Sequence, residues 1–90
     1  MIIVNWKIEF DLPAAKEFKK LDKLSRSKIS NYLSKIAKNH DPKIYGKPLR
    51  YSLVSLWRYR VDKFRIICHI EGGEFTILVL KIALRDKSYK

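Results

Sequence analysis

The chain has 90 residues, 47% of them hydrophobic, and carries 20 Lys+Arg against 9 Asp+Glu, a formal charge of +11 at pH 7. That length fits one domain over residues 1–90 with a core that folds without staples, and it excludes a second domain. The charge favours a polyanionic partner, while the longest apolar stretch, Phe75–Leu80, is strand-sized and far short of the ~18 residues of a transmembrane helix, so no membrane partner is expected.

The opening stretch Met1–Lys7 shows neither a charged n-region nor a small-residue cleavage site, so no secretory signal is expected and the cytoplasm is the expected compartment. Ile2, Val4, Trp6 and Ile8 alternate with Ile3, Asn5, Lys7 and Glu9, which predicts a first strand with one apolar face. Asp11 then caps, and Pro13 opens, a helix in which Ala14, Ala15, Phe18 and Leu21 share a side. After Asp22-Lys23 a second helix starts at Leu24-Ser25-Arg26-Ser27, with Ile29, Tyr32, Leu33, Ile36 and Ala37 as its stripe. Lysines 16, 19, 20, 23, 28, 35 and 38 fall on the outer surface of this hairpin and read as a solvated face. The stretch 38–48 holds Asn39, His40, Asp41, Pro42, Gly46 and Pro48 and reads as a loop, with His40 solvated.

The remainder reads as sheet. A β-rich segment begins near Leu49 and becomes clear at Leu56–Val61; Asp62-Lys63 is a tight turn; Phe64–Glu71 is a strand; Gly72-Gly73 is a two-residue hairpin signal; Glu74–Leu84 is the last strand. The expected class is α+β in the order β-α-α-β-β-β, with a helical hairpin packed on one face of a small antiparallel-rich sheet. Cys68, the only cysteine, sits in a β-branched run that suggests burial, and it has no partner for an internal disulfide.

Five of the six arginines lie between Arg50 and Arg85. Strand side chains alternate, so Arg58 and Arg60 point one way while Trp57, Tyr59 and Val61 point into the core. On the next strand Arg65, Ile67 and His69 oppose Phe64, Ile66, Cys68 and Ile70, a wholly apolar set that should face the helices. On the last, unbroken alternation sets Phe75, Ile77, Val79, Lys81, Ala83 and Arg85 with the arginines and Thr76, Leu78, Leu80, Ile82 and Leu84 toward the helices. A register slip would bury guanidiniums, so an open face lined by arginines is the expectation. The acidic residues are scattered and no His/Cys cluster or Gly-rich phosphate loop appears, so neither metal nor cofactor is expected.

These stretches resemble the RelE/ParE superfamily of toxins from bacterial toxin/antitoxin pairs. The run Trp57-Arg58-Tyr59-Arg60-Val61-Asp62-Lys63-Phe64-Arg65-Ile66-Ile67 is similar to that family's hairpin, and Leu84-Arg85-Asp86-Lys87-Ser88-Tyr89 to its C-terminal motif. Ala14–Leu21 and Gly46-Lys47-Pro48-Leu49 extend the likeness along nearly the whole chain. The resemblance implies a cognate antitoxin as partner in a hetero-oligomer. It also implies one of two activities: RelE-like members cut mRNA on the ribosome, whereas ParE-like members poison DNA gyrase and generally lack the catalytic basic set.

Arg58, Arg60, Arg65, Arg85 and Tyr89 fill the RelE-like positions, which favours a metal-independent endoribonuclease acting on mRNA in contact with ribosomal RNA. The alternatives are a gyrase inhibitor of the same fold or a non-catalytic nucleic-acid-binding module. In the ribonuclease reading Arg60 and Arg65 stabilise phosphoryl charge with help from Arg58, Arg85 protonates the leaving group or holds phosphate, and Tyr89 stacks on or orients the nucleotide. Lys63, Lys81 and Lys87 add RNA contacts. Relatives place a lysine where this chain has arginine, and a guanidinium is a poor proton acceptor, so His69 is the candidate base, with the three lysines as alternatives.

Overall fold

The structure, a computed structural model, describes residues 5–39, 41–49 and 56–84. Five strands, β1 (Lys7–Phe10), β2 (Lys47–Pro48), β3 (Leu56–Val61), β4 (Phe64–Glu71) and β5 (Thr76–Leu84), form one sheet in the order β1-β5-β4-β3-β2. Helices α1 (Leu12–Lys20) and α2 (Lys23–Ala37) join β1 to the rest, and a short 3-10 turn spans Pro42–Tyr45. The fold is α+β, with both helices packed on one sheet face.

Local chemistry accounts for the helix start. The Asp11 carboxylate accepts from the Leu12 N–H at 2.7 Å, satisfying one of the donors a first turn leaves free, and Pro13 supplies a preset φ where no N–H is needed. Ser25, Ile29, Leu33, Ile36 and Ala37 of α2 are buried at helical spacing. They meet Tyr59, Val61, Phe64, Ile66, Cys68, Ile70, Ile77, Val79 and Ile82 from the sheet in one core, completed by Trp6 and Ala14. A fully buried side chain such as Leu33 or Ile66 stabilises by about 1.5–3 kcal/mol. Tyr59 enters this core whole because its hydroxyl donates to the Pro42 carbonyl at 2.9 Å.

Four features go beyond or depart from the sequence expectations. First, β1 pairs parallel with β5, from Lys7↔Thr76 to Phe10↔Val79. The other pairings are antiparallel. Second, the stretch expected as loop contains β2, which pairs Lys47↔Arg58 and Pro48↔Trp57 at the sheet edge, the position that tolerates proline. Third, Gly72-Gly73 does not make a two-residue turn. Glu71 pairs with Thr76, so the connection is Gly72–Phe75, neither glycine has positive φ, and the left-handed residue is Phe75 at φ 49. A bulky residue there is strained; its ring packs edge-on against Trp6, with centroids 5.3 Å apart.

The fourth departure is a β-bulge. Ile67 pairs with Lys81 but Cys68 pairs with Val79, which leaves Leu80 as the extra residue on β5. Alternation is therefore broken in the middle of the strand. Ile77 and Val79 are fully buried in the core with Ile70 and Cys68, and Leu78 lies opposite His69 on the open face, reversing the expected sides of these three residues. Beyond the bulge the expected phase holds: Ile82 faces inward, and Lys81 and Ala83 lie opposite Ile67 and Arg65.

Candidate functional site

The face turned away from the helices is laid out by register. One row holds Leu56, His69 and Leu78; the next Arg58, Ile67 and Lys81; the next Arg60, Arg65 and Ala83. Arg60 and Arg65 are direct cross-strand partners, with Cβ atoms roughly 4.5–5.5 Å apart by strand geometry. Two like charges at such positions destabilise a sheet, and Arg58 lies one row away. Arg60 is exposed, whereas Arg58 and Arg65 are half-buried, with the Nε of Arg65 itself buried. The arrangement suits binding of a phosphate, whose oxygens match the planar fork of a guanidinium.

His69 is half-buried, and its Nε2 lies 3.2 Å from Oε1 of Glu71, the next residue on that face. Such a carboxylate can orient the ring by accepting from Nε2 when that nitrogen carries the proton. His69 is a diagonal neighbour of Arg58, roughly 7–8 Å away, whereas four residues of strand put it about 13 Å from Arg65. The sequence signal for Glu71 is its two-residue spacing from His69 on one strand, which sets both on the same face, and not any clustering of acidic residues.

The other expected contacts divide. Lys81 stands on the open face beside Ile67 and also borders the groove between β5 and α1. Lys63, in the β3–β4 turn, reaches over the Phe64 ring at 5.8 Å and borders a groove with Leu21 and Asp22, on the helix side of the sheet. Arg85, Lys87, Tyr89 and His40 lie outside the described residues. Among the described residues no three His, Cys, Asp or Glu side chains are grouped to hold a metal, and no helix is long and apolar enough to cross a membrane.

A cleft at the sheet edge was not legible in the sequence. It has a volume of about 150 Å³ and is lined by Tyr32, Tyr45, Gly46, Lys47, Arg58 and Arg60. It forms where β2 begins, at Lys47 opposite Arg58, and opens toward Arg60. Gly46 is required by close approach: a Cβ there would lie 2.8 Å from Tyr59 Cε1 and 2.9 Å from the Arg58 carbonyl oxygen. The Tyr32 hydroxyl donates to the Tyr45 carbonyl at 3.4 Å, and Asn39 Nδ2 donates to the Tyr45 hydroxyl at 3.3 Å. Burial, with Tyr45 and Cys68 adding to it, pushes the Tyr32 hydroxyl above its ordinary pKa, so it stays a neutral donor at pH 7. Burial likewise pushes the Cys68 thiol up to about 12, which makes it an inert core side chain.

Comparison with known proteins identifies the scaffold. The structure is similar to the toxin–antitoxin complex RelBE2 from Mycobacterium tuberculosis, with a TM-score of 0.80 at 21% identity over 93% of this chain and 95% of that one. It is also similar to the intact E. coli RelBE toxin-antitoxin complex (TM-score 0.74, 16% identity, 88% and 95% covered). The archaeal RelE-RelB complex from Pyrococcus horikoshii OT3 gives a TM-score of 0.74 at 15% identity, with 90% and 96% covered. At these identities the likeness is one of fold. No sequence among curated proteins is similar enough to count as a match. The model of the family described as "ParE toxin of type II toxin-antitoxin system, parDE" matches residues 8–89. The chain therefore belongs to the ParE toxin family of type II toxin–antitoxin systems, within the RelE/ParE superfamily.

Proposed function

We propose that this toxin is a metal-independent endoribonuclease that cuts mRNA on the ribosome, in the cytoplasm, and is silenced by a cognate antitoxin covering its basic face. The observation that carries the reading is the Arg60–Arg65 pair, two arginines directly opposite each other across β3 and β4 with Arg58 one row away. A surface that only attracts nucleic acid by charge can scatter its cations and avoid that repulsion. Solved structures of the same fold contain RelB antitoxins, which supports the partner.

In the proposed reaction the 2′-OH of one nucleotide attacks the adjacent phosphorus. The P–O5′ bond breaks, leaving a 2′,3′-cyclic phosphate and a 5′-OH. The 2′-OH loses a proton to a base and the departing 5′ oxygen gains one. Arg60 and Arg65 stabilise the extra negative charge on the non-bridging oxygens, where preorganised donors are worth most. Arg58 assists. His69, steered by Glu71, accepts the proton when the phosphate lies toward Arg58; for one held between Arg60 and Arg65, Lys81 is the nearer titratable group. Arg85 is assigned to the leaving oxygen, Tyr89 to the nucleotide, and Lys63 and Lys87 to more distant phosphates.

Induced expression should halt translation, and primer extension should show cuts inside coding sequence with 5′-OH ends. Arg65→Ala should lower cleavage by about 10²-fold or more. Arrested growth with intact mRNA would remove the reading. The matched family model favours a second one, inhibition of DNA gyrase, which such an outcome together with inhibition of purified gyrase would select.

A further inference from the structure

The edge cleft lies outside the catalytic roles just assigned, although two of its walls are Arg58 and Arg60. Its volume, about 150 Å³, is below the ~300 Å³ of the smallest drug-sized pockets and close to that of a cavity known to take up benzene. One planar ring fits; a whole nucleotide does not. The lining residues are two tyrosines, a glycine, two arginines and a lysine, with no acidic residue among them. Aromatic side chains interleaved with cations are how proteins seat unpaired bases without reading a duplex.

The seat is preorganised. Tyr45 is 37% exposed, yet it is held by the bonds from Tyr32 and Asn39 and by the Lys35 ammonium 5.5 Å from its ring centroid. Gly46 lets the segment lie against Tyr59, which fixes the cleft floor. Arg58 and Arg60 belong both to the cleft and to the open face, so a strand with a phosphate on that face brings a neighbouring base to the β3 edge.

We infer that the cleft formed by Tyr32, Tyr45, Gly46 and Lys47 beside Arg58 and Arg60 binds one unpaired base of single-stranded RNA, stacked on Tyr45, next to the phosphate undergoing cleavage. The inference rests on the ribonuclease reading and extends it to a subsite that selects the substrate. Lys47 at the mouth takes the following phosphate.

The test measures fluorescence anisotropy of a short single-stranded RNA bearing 2′-O-methyl riboses, so that it cannot be cut, and of an abasic strand of the same length. Tyr45→Ala should bind the RNA about tenfold more weakly than wild type, and Tyr45→Phe within about twofold of it. On the abasic strand all three should bind alike, because only a base can be lost from the seat. Thermal melting confirms that each variant is folded, and Tyr45→Leu replaces Tyr45→Ala should the latter not fold. Equal RNA binding by wild type and the folded variant overturns the subsite and leaves the ribonuclease reading standing. So does an equal loss on both strands. Failure of the wild-type protein itself to bind RNA in preference to duplex DNA overturns the ribonuclease reading, and the subsite with it.

Discussion

At the scale of single residues, stability and the proposed function pull in opposite directions at Arg60. It faces Arg65 across β3 and β4, so neutralising it relieves like-charge repulsion in the free protein. Arg60→Gln keeps most of the stem and should raise unfolding free energy by on the order of a few tenths of a kcal/mol in urea titrations while lowering the proposed mRNA cleavage. A variant that loses both would show that the pair is structural. Tyr59 is the contrasting case, because its polar atom serves only the fold. Tyr59→Phe removes the donor to the Pro42 carbonyl and should cost about 1–3 kcal/mol by urea denaturation, with the proposed cleavage per folded molecule unchanged.

Cys68 sets an alkaline limit. Its folded pKa is raised by burial from 9.0 to about 12, so its contribution to stability is complete below pH 9 and is lost as pH rises toward 12, where only the unfolded thiol ionises. Burial raises the Tyr59 hydroxyl too, in the same sense. Stability measured between pH 9 and 11 should fall, and in Cys68→Ala the fall should be shallower by up to ~1.4 kcal/mol per pH unit, the slope of one proton. Identical slopes would mean that the thiol is not buried in solution.

At the scale of elements, β3 and β4 were legible and β5 was half legible, for one reason. Alternation assigns faces correctly as long as each residue has one partner, and Leu56–Val61 against Phe64–His69 meets that condition throughout. The bulge at Leu80 does not arise from its own side chain. It reconciles two inward sets, Ile77 with Val79 and Ile82 with Leu84, which are out of phase by one residue. A clean test follows. Val79→Thr, which buries a hydroxyl in the core, should cost about 1–3 kcal/mol, and Leu78→Thr on the open face should cost less; unbroken alternation requires the opposite order. The four-residue Gly72–Phe75 connection was missed similarly, because the Glu71↔Thr76 register and the Trp6–Phe75 contact, not the glycine pair, set the turn.

At the scale of the whole molecule, charge is distributed by the fold. Lysines 16, 19, 20, 23, 28, 35 and 38 are exposed on the helices, while Arg58, Arg60, Arg65 and Lys81 collect on the opposite sheet face. If that face holds a single RNA strand, binding should weaken with salt at a slope near −0.7 per phosphate contacted, so three or four contacts give about −2 to −3 on a log–log plot. A slope near zero in a titration from low to moderate salt would exclude phosphate contacts as the source of affinity.

The amino-acid sequence by itself determined the α+β class, the two amphipathic helices, the arginine-bearing hairpin and the resemblance to the RelE/ParE toxins. Those depend on periodicities of 2 and 3.6 and on motifs contained in short runs of chain. Only the tertiary structure decided that β1 joins β5 in parallel, that Leu80 resets the face of β5, that Glu71 supports His69, and that Tyr32 and Tyr45 close a cleft with Arg58 and Arg60. Each of these pairs residues whose meeting is set by register or by packing between elements, and no local pattern records which partner lies across a strand or beyond its edge.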